Sequence, residues 1–368
     1  MRILFIVILI IHGLIHFMGF AKAFDFGNIA QFTKEISKPM GLLWLLTGLL
    51  FFISAILYLM KKDTWPLIAI IAVVLSQLLI FMVWKDAKFG TIANIIILFV
   101  GIVGLGHYQF DKMVRAESKQ LLQNVQTENH PAISKTAMER LPEIVQKSMR
   151  SSGVIGQDEI VSVRLQQKGE MKTKPEGKWM PFTATQYFNV EDAAFIWTTE
   201  VDFMPMVNMA GRDKLIDGKG EMLIKLANMI PVVDEGNNEK VNSGAMLRYM
   251  AEMVWFPSAM LNDYIKWEAM DANAAKATFT LKGESVSGIY TFSDKGNFKS
   301  FEANRYYGGK MDSKLEKWKI TASDYKEFNG IKIPNKCSVI WKLREGDSNW
   351  LNLEITELEY NRSQSFEN

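Results

Sequence analysis

The side chains with the greatest capacity for chemistry near the start of the chain are two histidines, His12 and His16. Residues four apart share one face of a helix, so these imidazoles could together hold a metal, a haem or a quinone. A haem site in a membrane normally takes ligands from different helices, and the next histidine along the chain is His107. The alternative is that both rings pack inside a helix bundle with hydrogen-bond partners, and Ser76, Gln77 and Asn94 similarly look like groups that hydrogen-bond between helices. We predict no metal site here and keep a redox cofactor on His12 and His16 as an alternative function.

A second cluster lies on one predicted helix in the later part of the chain. Arg248 and Glu252 are four residues apart and can pair on a helix surface. The same two groups could instead contact the headgroup of a ligand or supply a carboxylate for acid–base catalysis. The candidate ligand-binding residues are Arg248, Tyr249, Met250, Glu252, Met253 and Trp255. We assign no catalytic residue and leave open whether the chain is an enzyme, the alternative being one that uses carboxylates near Glu252.

Several common site types are not expected in the predicted soluble domain. His130 is the only histidine after the apolar region, which argues against a Ser-His-Asp or Cys-His arrangement and a histidine-based metal site. Cys337 is the only cysteine, so neither an intramolecular disulfide nor a cysteine-rich zinc site can form. Gly218-Lys219-Gly220 lacks the further residues of a phosphate loop, and Asp217-Gly218 predicts a hairpin turn instead. We predict no cofactor.

The charge of the chain gives no sign of a polyanionic partner. Its 42 Lys and Arg residues nearly balance 40 Asp and Glu residues, for a net charge of +2. A balance this even provides no field that would attract nucleic acid. The expected partners are the lipid bilayer and a lipid or other apolar small molecule, while protein partners stay unknown.

The elements that position the two histidines are long apolar segments. A membrane crossing needs about 20 predominantly apolar residues in a helix. Four segments qualify, at about 3–21, 40–60, 66–84 and 91–106. We predict a four-helix transmembrane domain over residues 1–110 and interpret the first segment as a retained span rather than a cleaved signal.

The side of the membrane depends on the Lys and Arg residues of the short loops. They divide almost equally between the two sides, with a margin of one charge. An even number of spans places both chain ends on the same side, and the basic start at Arg2 favours the cytoplasm for them. The prediction is a multi-pass protein of the cell (inner) membrane with a cytoplasmic soluble domain.

The residues between 111 and 153 are charged and favour helix. Leu141, Ile144, Val145 and Met149 recur at helical spacing, and Gly153 can provide a left-handed helix end. This pattern predicts a helical stalk or linker over 111–153. A soluble β-rich domain is then expected over 154–368.

The soluble domain shows the short alternating runs of an antiparallel sheet. The predicted strands are 161–171, 182–188, 194–203, 277–282, 288–292, 299–307, 317–325, 331–333, 336–343 and 350–360. One helix interrupts them, with Ser243 as its expected N-cap and Pro257 at its end. Residues 204–260 are rich in methionine, including Met206, which suits an irregular core or a pocket for variable apolar ligands.

Several motifs resemble those of an uncharacterised bacterial family, a domain of unknown function designated only by number. They are Leu141-Pro142, Gly169-Glu170-Met171, Trp179-Met180-Pro181-Phe182, Gly218-Lys219-Gly220, and Leu247-Arg248-Tyr249 with Glu252, Trp255 and Pro257. The resemblance covers about residues 140–361 and implies almost nothing about activity. The opening His12-Gly13-Leu14-Ile15-His16 and residues 84–94 look like the membrane half often fused to that domain.

A second similarity lies near the C-terminus, in residues 325–334, Tyr-Lys-Glu-Phe-Asn-Gly-Ile-Lys-Ile-Pro. This pattern looks like the end of the open half-barrels of bacterial lipoprotein carriers. The resemblance implies a curved antiparallel sheet that wraps helices and leaves an apolar cavity for acyl chains. The fold class expected for the chain is therefore four membrane helices plus an α+β domain, built as a curved, mainly antiparallel sheet with a few helices. Its leading function is non-catalytic binding of a lipid or other apolar ligand by a membrane-tethered domain.

Overall fold

The structure is a computed structural model that describes residues 2–27, 29–126, 130–204, 207–310 and 312–366, and Met206 lies outside them. The chain forms two compact units, Met1–Lys112 and Met113–Asn368.

The first unit is helical. Its elements are α1 (Arg2–Ala23), α2 (Lys38–Leu59), α3 (Trp65–Met82), the short α4 (Trp84–Ala87) and α5 (Gly90–Leu122), whose last turns belong to the second unit. Four of these helices, α1, α2, α3 and α5, are long and apolar enough to cross a membrane. The prediction of four apolar helices is confirmed, but the fourth continues well past its expected end near residue 106.

Small residues let the apolar helices approach one another closely. A Cβ on Gly19 of α1 would lie 2.2 Å from the ring of Trp44 on α2, and one on Gly48 would lie 2.6 Å from the ring of Phe17. Helices in an apolar solvent associate through such close packing, since lipid supplies little hydrophobic drive. The outward-facing side chains, for example Phe99, are exposed Ile, Leu and Phe residues that suit a lipid environment.

Among its described residues, the second unit is built on one antiparallel sheet of thirteen strands. They are β1 (Ser162–Met171), β2 (Met180–Asn189), β3 (Ala194–Met204), β4 (Val207–Ile216), β5 (Lys219–Leu226), β6 (Ile230–Gly236), β7 (Ile265–Asp271), β8 (Ala274–Leu281), β9 (Glu284–Phe292), β10 (Phe298–Tyr306), β11 (Leu315–Phe328), β12 (Ile331–Leu343) and β13 (Gly346–Tyr360). Their order is β6-β5-β4-β3-β2-β1-β13-β12-β11-β10-β9-β8-β7. Strands adjacent in sequence are therefore adjacent in the sheet, except for β6 and β7, which form its two edges, and the first and last strands, β1 and β13, pair in the middle.

The sheet curves around a helix, α7 (Glu239–Glu252), which connects its two edge strands. This helix contacts β4, β5 and β6 near one edge and β9 and β10 near the other. A helix can reach strands so far apart in the order only if it lies inside the curve. The turn after β4 and the turn after β8 also approach each other, since Lys282 Nζ lies 3.7 Å from Asp217 Oδ1. The expected fold, a curved and unclosed antiparallel sheet with a few helices, is confirmed.

The start of α7 differs from the prediction. Asn238, not Ser243, is the N-cap, and its side chain accepts a hydrogen bond of 3.0 Å from the backbone N–H of Val241. The Ser243 hydroxyl instead donates to the backbone oxygen of Lys240 inside the helix. After Glu252 the chain continues in two 3₁₀ turns, Met253–Trp255 and Pro257–Leu261.

Two further helical segments pack against the sheet. In α6 (Glu143–Ser152), Ile144, Val145 and Met149 are buried as predicted, and Gly153 ends the helix with a positive φ of 76°. On the convex side, Leu121 and Leu122 at the end of α5 pack against Tyr187, Ala194 and Ile196.

Candidate functional site

A buried polar cluster lies between α7 and the concave face of the sheet. Its centre is Glu252, which accepts 2.7 Å and 2.9 Å hydrogen bonds from Gln186 Nε2 and Arg248 Nε. The same guanidinium donates through Nη1 to Asp213 Oδ2 at 2.8 Å. Arg248 therefore links two carboxylates, one on its own helix and one on β4, and the predicted Arg248–Glu252 pair is confirmed.

The register of the sheet brings the strand residues of this cluster together. Gln186 on β2 faces Trp197 on β3, which faces Asp213 on β4, so all three side chains point to the same side. The guanidinium of Arg248 lies 4.5 Å from the centre of the Trp197 ring, within cation–π range. Trp197 in turn donates through its indole N–H to Gln167 at 2.9 Å. The cluster thus joins the helix to three adjacent strands and to one more glutamine.

Burial decides the electrostatics of Glu252. It raises the pKa of the carboxyl above its ordinary value, while the charge and hydrogen bond of Arg248 and the hydrogen bond of Gln186 oppose the shift. Cys337 lies close by, and burial raises the pKa of its thiol to about 12, with a smaller contribution from the charge of Glu252. A thiol with so high a pKa is not a nucleophile at neutral pH.

A second arginine, Arg305 on β10, lies against α7 at Gly244. Its guanidinium stacks 4.6 Å from the centre of the Trp318 ring and 5.9 Å from that of Trp341. A Cβ on Gly244 of α7 would be 3.3 Å from Arg305 Nε, so the helix backbone comes close to the guanidinium. Burial and, next, the charge of Arg248 lower the pKa of Arg305 to about 10.

The predicted ligand-binding residues separate into two groups. Arg248 and Glu252 face the polar cluster, whereas Tyr249, Met250 and Met253 are fully buried in the aromatic core. Tyr249, for example, has its hydroxyl 2.9 Å from that of Tyr264. Trp255 is also buried and lies beside Cys337, and its backbone oxygen accepts a hydrogen bond of 2.7 Å from Tyr360. These four side chains therefore hold α7 and the following turn in place.

Sequence reasoning missed four site residues, Gln167, Gln186, Arg305 and Trp318. A signal existed for some of them, because Gln167 and Gln186 occupy inward positions of otherwise apolar alternating strands. Arg305 likewise continues the inward series of Phe301 and Ala303 on β10. Polar residues at inward positions of a strand are exceptions to the pattern and mark places where a polar group is needed.

Part of the concave face beyond this cluster keeps a small solvent exposure. Inward side chains beneath α7, such as Phe279 and Tyr290, are 0 % exposed, whereas others keep 8–9 % of their surface accessible. Those others are Met171, Trp197, Met209, Trp341 and Leu351, and we call them the open end of the concave face. Its lining is apolar and aromatic, as in sites for apolar molecules.

His12 and His16 are both buried and hydrogen-bonded in the helical unit. His16 donates through Nδ1 to the backbone oxygen of His12 at 2.8 Å, and its Nε2 lies 2.9 Å from the Ser76 hydroxyl. His12 donates through Nε2 to Asn94 Oδ1 at 2.9 Å. The expectation that both rings pack inside the bundle with hydrogen-bond partners is confirmed. No group of three or more His, Cys, Asp or Glu side chains able to hold a metal occurs among the described residues.

The fold and the cluster together define a chain with four apolar helices and a curved, unclosed antiparallel sheet wrapped around one helix. Residues 139–360 match a family of unknown function, DUF6920, and the chain belongs to that family. The predicted family resemblance is confirmed. No curated protein is significantly similar to the chain in sequence.

Two solved structures share a distant likeness to this chain. One is a LolA superfamily protein from Nitrosomonas europaea, with 10 % identity over 59 % of this chain and 91 % of the other, at a TM-score of 0.35. The second is a DUF1329 family protein from Desulfovibrio piger, with 14 % identity over 61 % of this chain and 95 % of the other, at a TM-score of 0.31. At these TM-scores neither likeness bears on the function of this chain.

Proposed function

We propose that this chain is a membrane-tethered binding protein whose second unit holds a lipid or another apolar molecule on its concave face, without catalysis. The main observation in support of this proposal is the residual solvent exposure of the open end of the concave face. Its apolar and aromatic residues keep 8–9 % of their surface accessible, while Phe279 and Tyr290 beneath α7 keep none. Burying such a lining against an apolar ligand is favourable by about 25 cal/mol for each Å² removed from water.

The lining suits a ligand of variable shape. Met171 and Met209 contribute flexible, polarizable side chains, which can rearrange around different apolar groups. Gly169 and Gly211 also face inward, in register with Phe182 and Thr199, and leave room between the larger side chains. An acyl chain entering the concave face there would displace flexible thioethers rather than rigid side chains.

The polar cluster supports a structural role for Glu252 in this proposal. Both of its oxygens have protein donors, one from α7 and one from β2, and Arg248 is shared with Asp213. Neither the carboxylate alternative at Glu252 nor a cofactor on His12 and His16 gains an observation in its favour. The four apolar helices serve in this proposal as a multi-pass anchor in the cell (inner) membrane.

The test is mass spectrometry of lipids extracted from the purified full chain and from two tryptophan variants of β4. Met209→Trp fills the open end, while Asn208→Trp makes the same change at the adjacent position, whose side chain points to the convex face. Lipid bound around the membrane helices is common to all three proteins, so a difference between the variants reports the second unit. We expect a defined lipid in the wild type and in Asn208→Trp that is lost from Met209→Trp. Identical lipid content in all three proteins would overturn the proposal.

A further inference from the structure

The guanidinium of Arg305 has neither a hydrogen bond nor an ion pair within the part of the chain that the structure describes. Its directly opposite neighbour on β11 is Glu316, yet the two side chains do not approach within ion-pair distance. Its contacts are instead the ring faces of Trp318 and Trp341 and the backbone of α7 at Gly244. This cation is therefore held in place by packing, with its donors unused.

The contrast with Arg248 shows that Arg305 is left without a counter-charge. Arg248 pairs at 2.8 Å with Asp213 and at 2.9 Å with Glu252. These two carboxylates lie near enough to Arg305 to act on its charge, but both are already bonded to the other arginine. An unpaired charge in a partly buried place is costly unless a partner is supplied from elsewhere.

A second unused donor lies beside Arg305. The indole N–H of Trp318, the ring on which the guanidinium stacks, is buried and has no acceptor among the described residues. Trp341, the other ring beside Arg305, belongs to the open end of the concave face. The free donors and the apolar lining are therefore adjacent parts of one surface.

We propose that the concave face selects an amphiphile with an anionic headgroup, a carboxylate or a phosphate, and that Arg305 binds this headgroup while the tail occupies the open end. The inference rests on the proposed function and adds the chemical class of the ligand to it. A planar guanidinium held against aromatic rings is pre-organised to donate two parallel hydrogen bonds to such an anion.

The experiment compares two probes on the full chain in amphipol, a pyrene-labelled long-chain fatty acid and the fatty alcohol of equal length. Binding is measured by energy transfer from tryptophan to pyrene. We expect the wild type to bind the acid about tenfold more tightly than the alcohol, as for one charge-assisted contact. Arg305→Met should bind both probes with the affinity of the alcohol. Arg150→Met, which removes an exposed arginine, should keep the preference.

Each alternative outcome has its own signature. Equal affinity for acid and alcohol in the wild type, with both weakened by Met209→Trp, would overturn the anion site and leave apolar binding intact. If neither probe shows saturable binding that Met209→Trp weakens, the proposed function and this inference are both refuted. Displacement of the acid by inorganic phosphate at equal concentration would assign Arg305 to a free anion and overturn the lipid headgroup.

The comparison does not depend on one variant folding. Arg305→Lys keeps the charge and should retain part of the preference for the acid, while losing the second parallel hydrogen bond. If Arg305→Met unfolds, the inference is tested by the ratio of acid affinity to alcohol affinity in the wild type and in Arg305→Lys. A ratio of one in the wild type would still overturn the inference.

Discussion

Gln186 on β2 and Glu252 on α7 are 66 residues apart in sequence, yet they are joined by a hydrogen bond of 2.7 Å between two buried side chains. This contact ties the end of the helix to the middle of the sheet. It also limits how the helix can rotate, because Arg248 must reach both Glu252 and Asp213 from the same helix face. The polar cluster thus specifies one docking position for α7 within an otherwise apolar surface.

Glu252→Gln tests the charge of this carboxyl with little change of shape. Its pKa is raised above the ordinary value of 4.5 because of burial, so the folded state binds the proton more tightly than the unfolded state. The contribution of Glu252 to stability is therefore complete below pH 4.5 and falls as the pH rises toward the raised pKa. The loss is about 1.4 kcal/mol for each unit by which the pKa is raised.

We therefore expect the melting temperature of Glu252→Gln, relative to that of the wild type, to increase as the pH rises from 4.5 to neutral. Tryptophan fluorescence during heating of the purified full chain measures it at each pH. Since the proposed role of Glu252 is structural, the same variant should retain its lipid. A relative melting temperature that falls over this range would show that the ionised carboxylate is the more stable form.

The convex face offers a prediction about burial and ion pairing. Arg212 is 5 % exposed and pairs with Glu117 at 3.2 Å and Glu221 at 3.0 Å, which attaches the end of α5 to the sheet. Removing one member of a buried ion pair leaves uncompensated charge, so Arg212→Met should lower the free energy of unfolding by about 3 kcal/mol. Lys214→Met removes a cation from the same two carboxylates, but its amine is more exposed. In the same denaturant titration, Lys214→Met should lower the free energy of unfolding by less than Arg212→Met does. Equal losses for the two variants would refute the role of burial.

The large elements of this fold follow from simple patterns in the sequence. The four apolar helices were predictable because length and hydropathy suffice for them. Most strands of the second half were predictable from alternation. The strands β4, β5, β6 and β7 were not. The methionine, lysine and glutamate residues of β4, β5 and β7 have little preference for strands and obscure the period of two, and β6 contains Pro231, which is disfavoured within a strand. The start of α7 was misplaced because Asn238 offered a cap five residues before Ser243.

The sequence could predict only those contacts of the candidate site that join residues close together in the chain. The spacing of four between Arg248 and Glu252 was enough to predict their pair. Asp213 and Gln186 join them through the register of β2, β3 and β4, which depends on the whole sheet. Whether Arg305 has an ion-pair partner among the described residues depends on which carboxylates pair with Arg248. No short-range pattern contains that information.

Ser76 offers a prediction about the helical unit, since its hydroxyl lies 2.9 Å from His16 Nε2 and 3.3 Å from His12 Nε2. Ser76→Ala should lower the free energy of unfolding in detergent by about 1 kcal/mol, the usual range for a hydrogen bond between membrane helices. Thr47→Ala is the matched control, because the Thr47 hydroxyl donates within its own helix to Leu43. A cofactor role for the histidines would appear as a visible absorption band of the purified wild type that Ser76→Ala alters. A loss of stability without such a band supports packing alone.

The single cysteine makes the side of the membrane testable. Cys337 is 4 % exposed and burial raises the pKa of its thiol to about 12, so the wild type should not react with a membrane-impermeant maleimide at neutral pH. Glu327→Cys places a new thiol at an exposed position next to the turn between β11 and β12. With the second unit in the cytoplasm, as the basic start of the chain favours, intact cells should leave this cysteine unlabelled and permeabilised cells should label it. Labelling before permeabilisation would place the second unit on the opposite side, and labelling of the wild type would show that Cys337 becomes accessible.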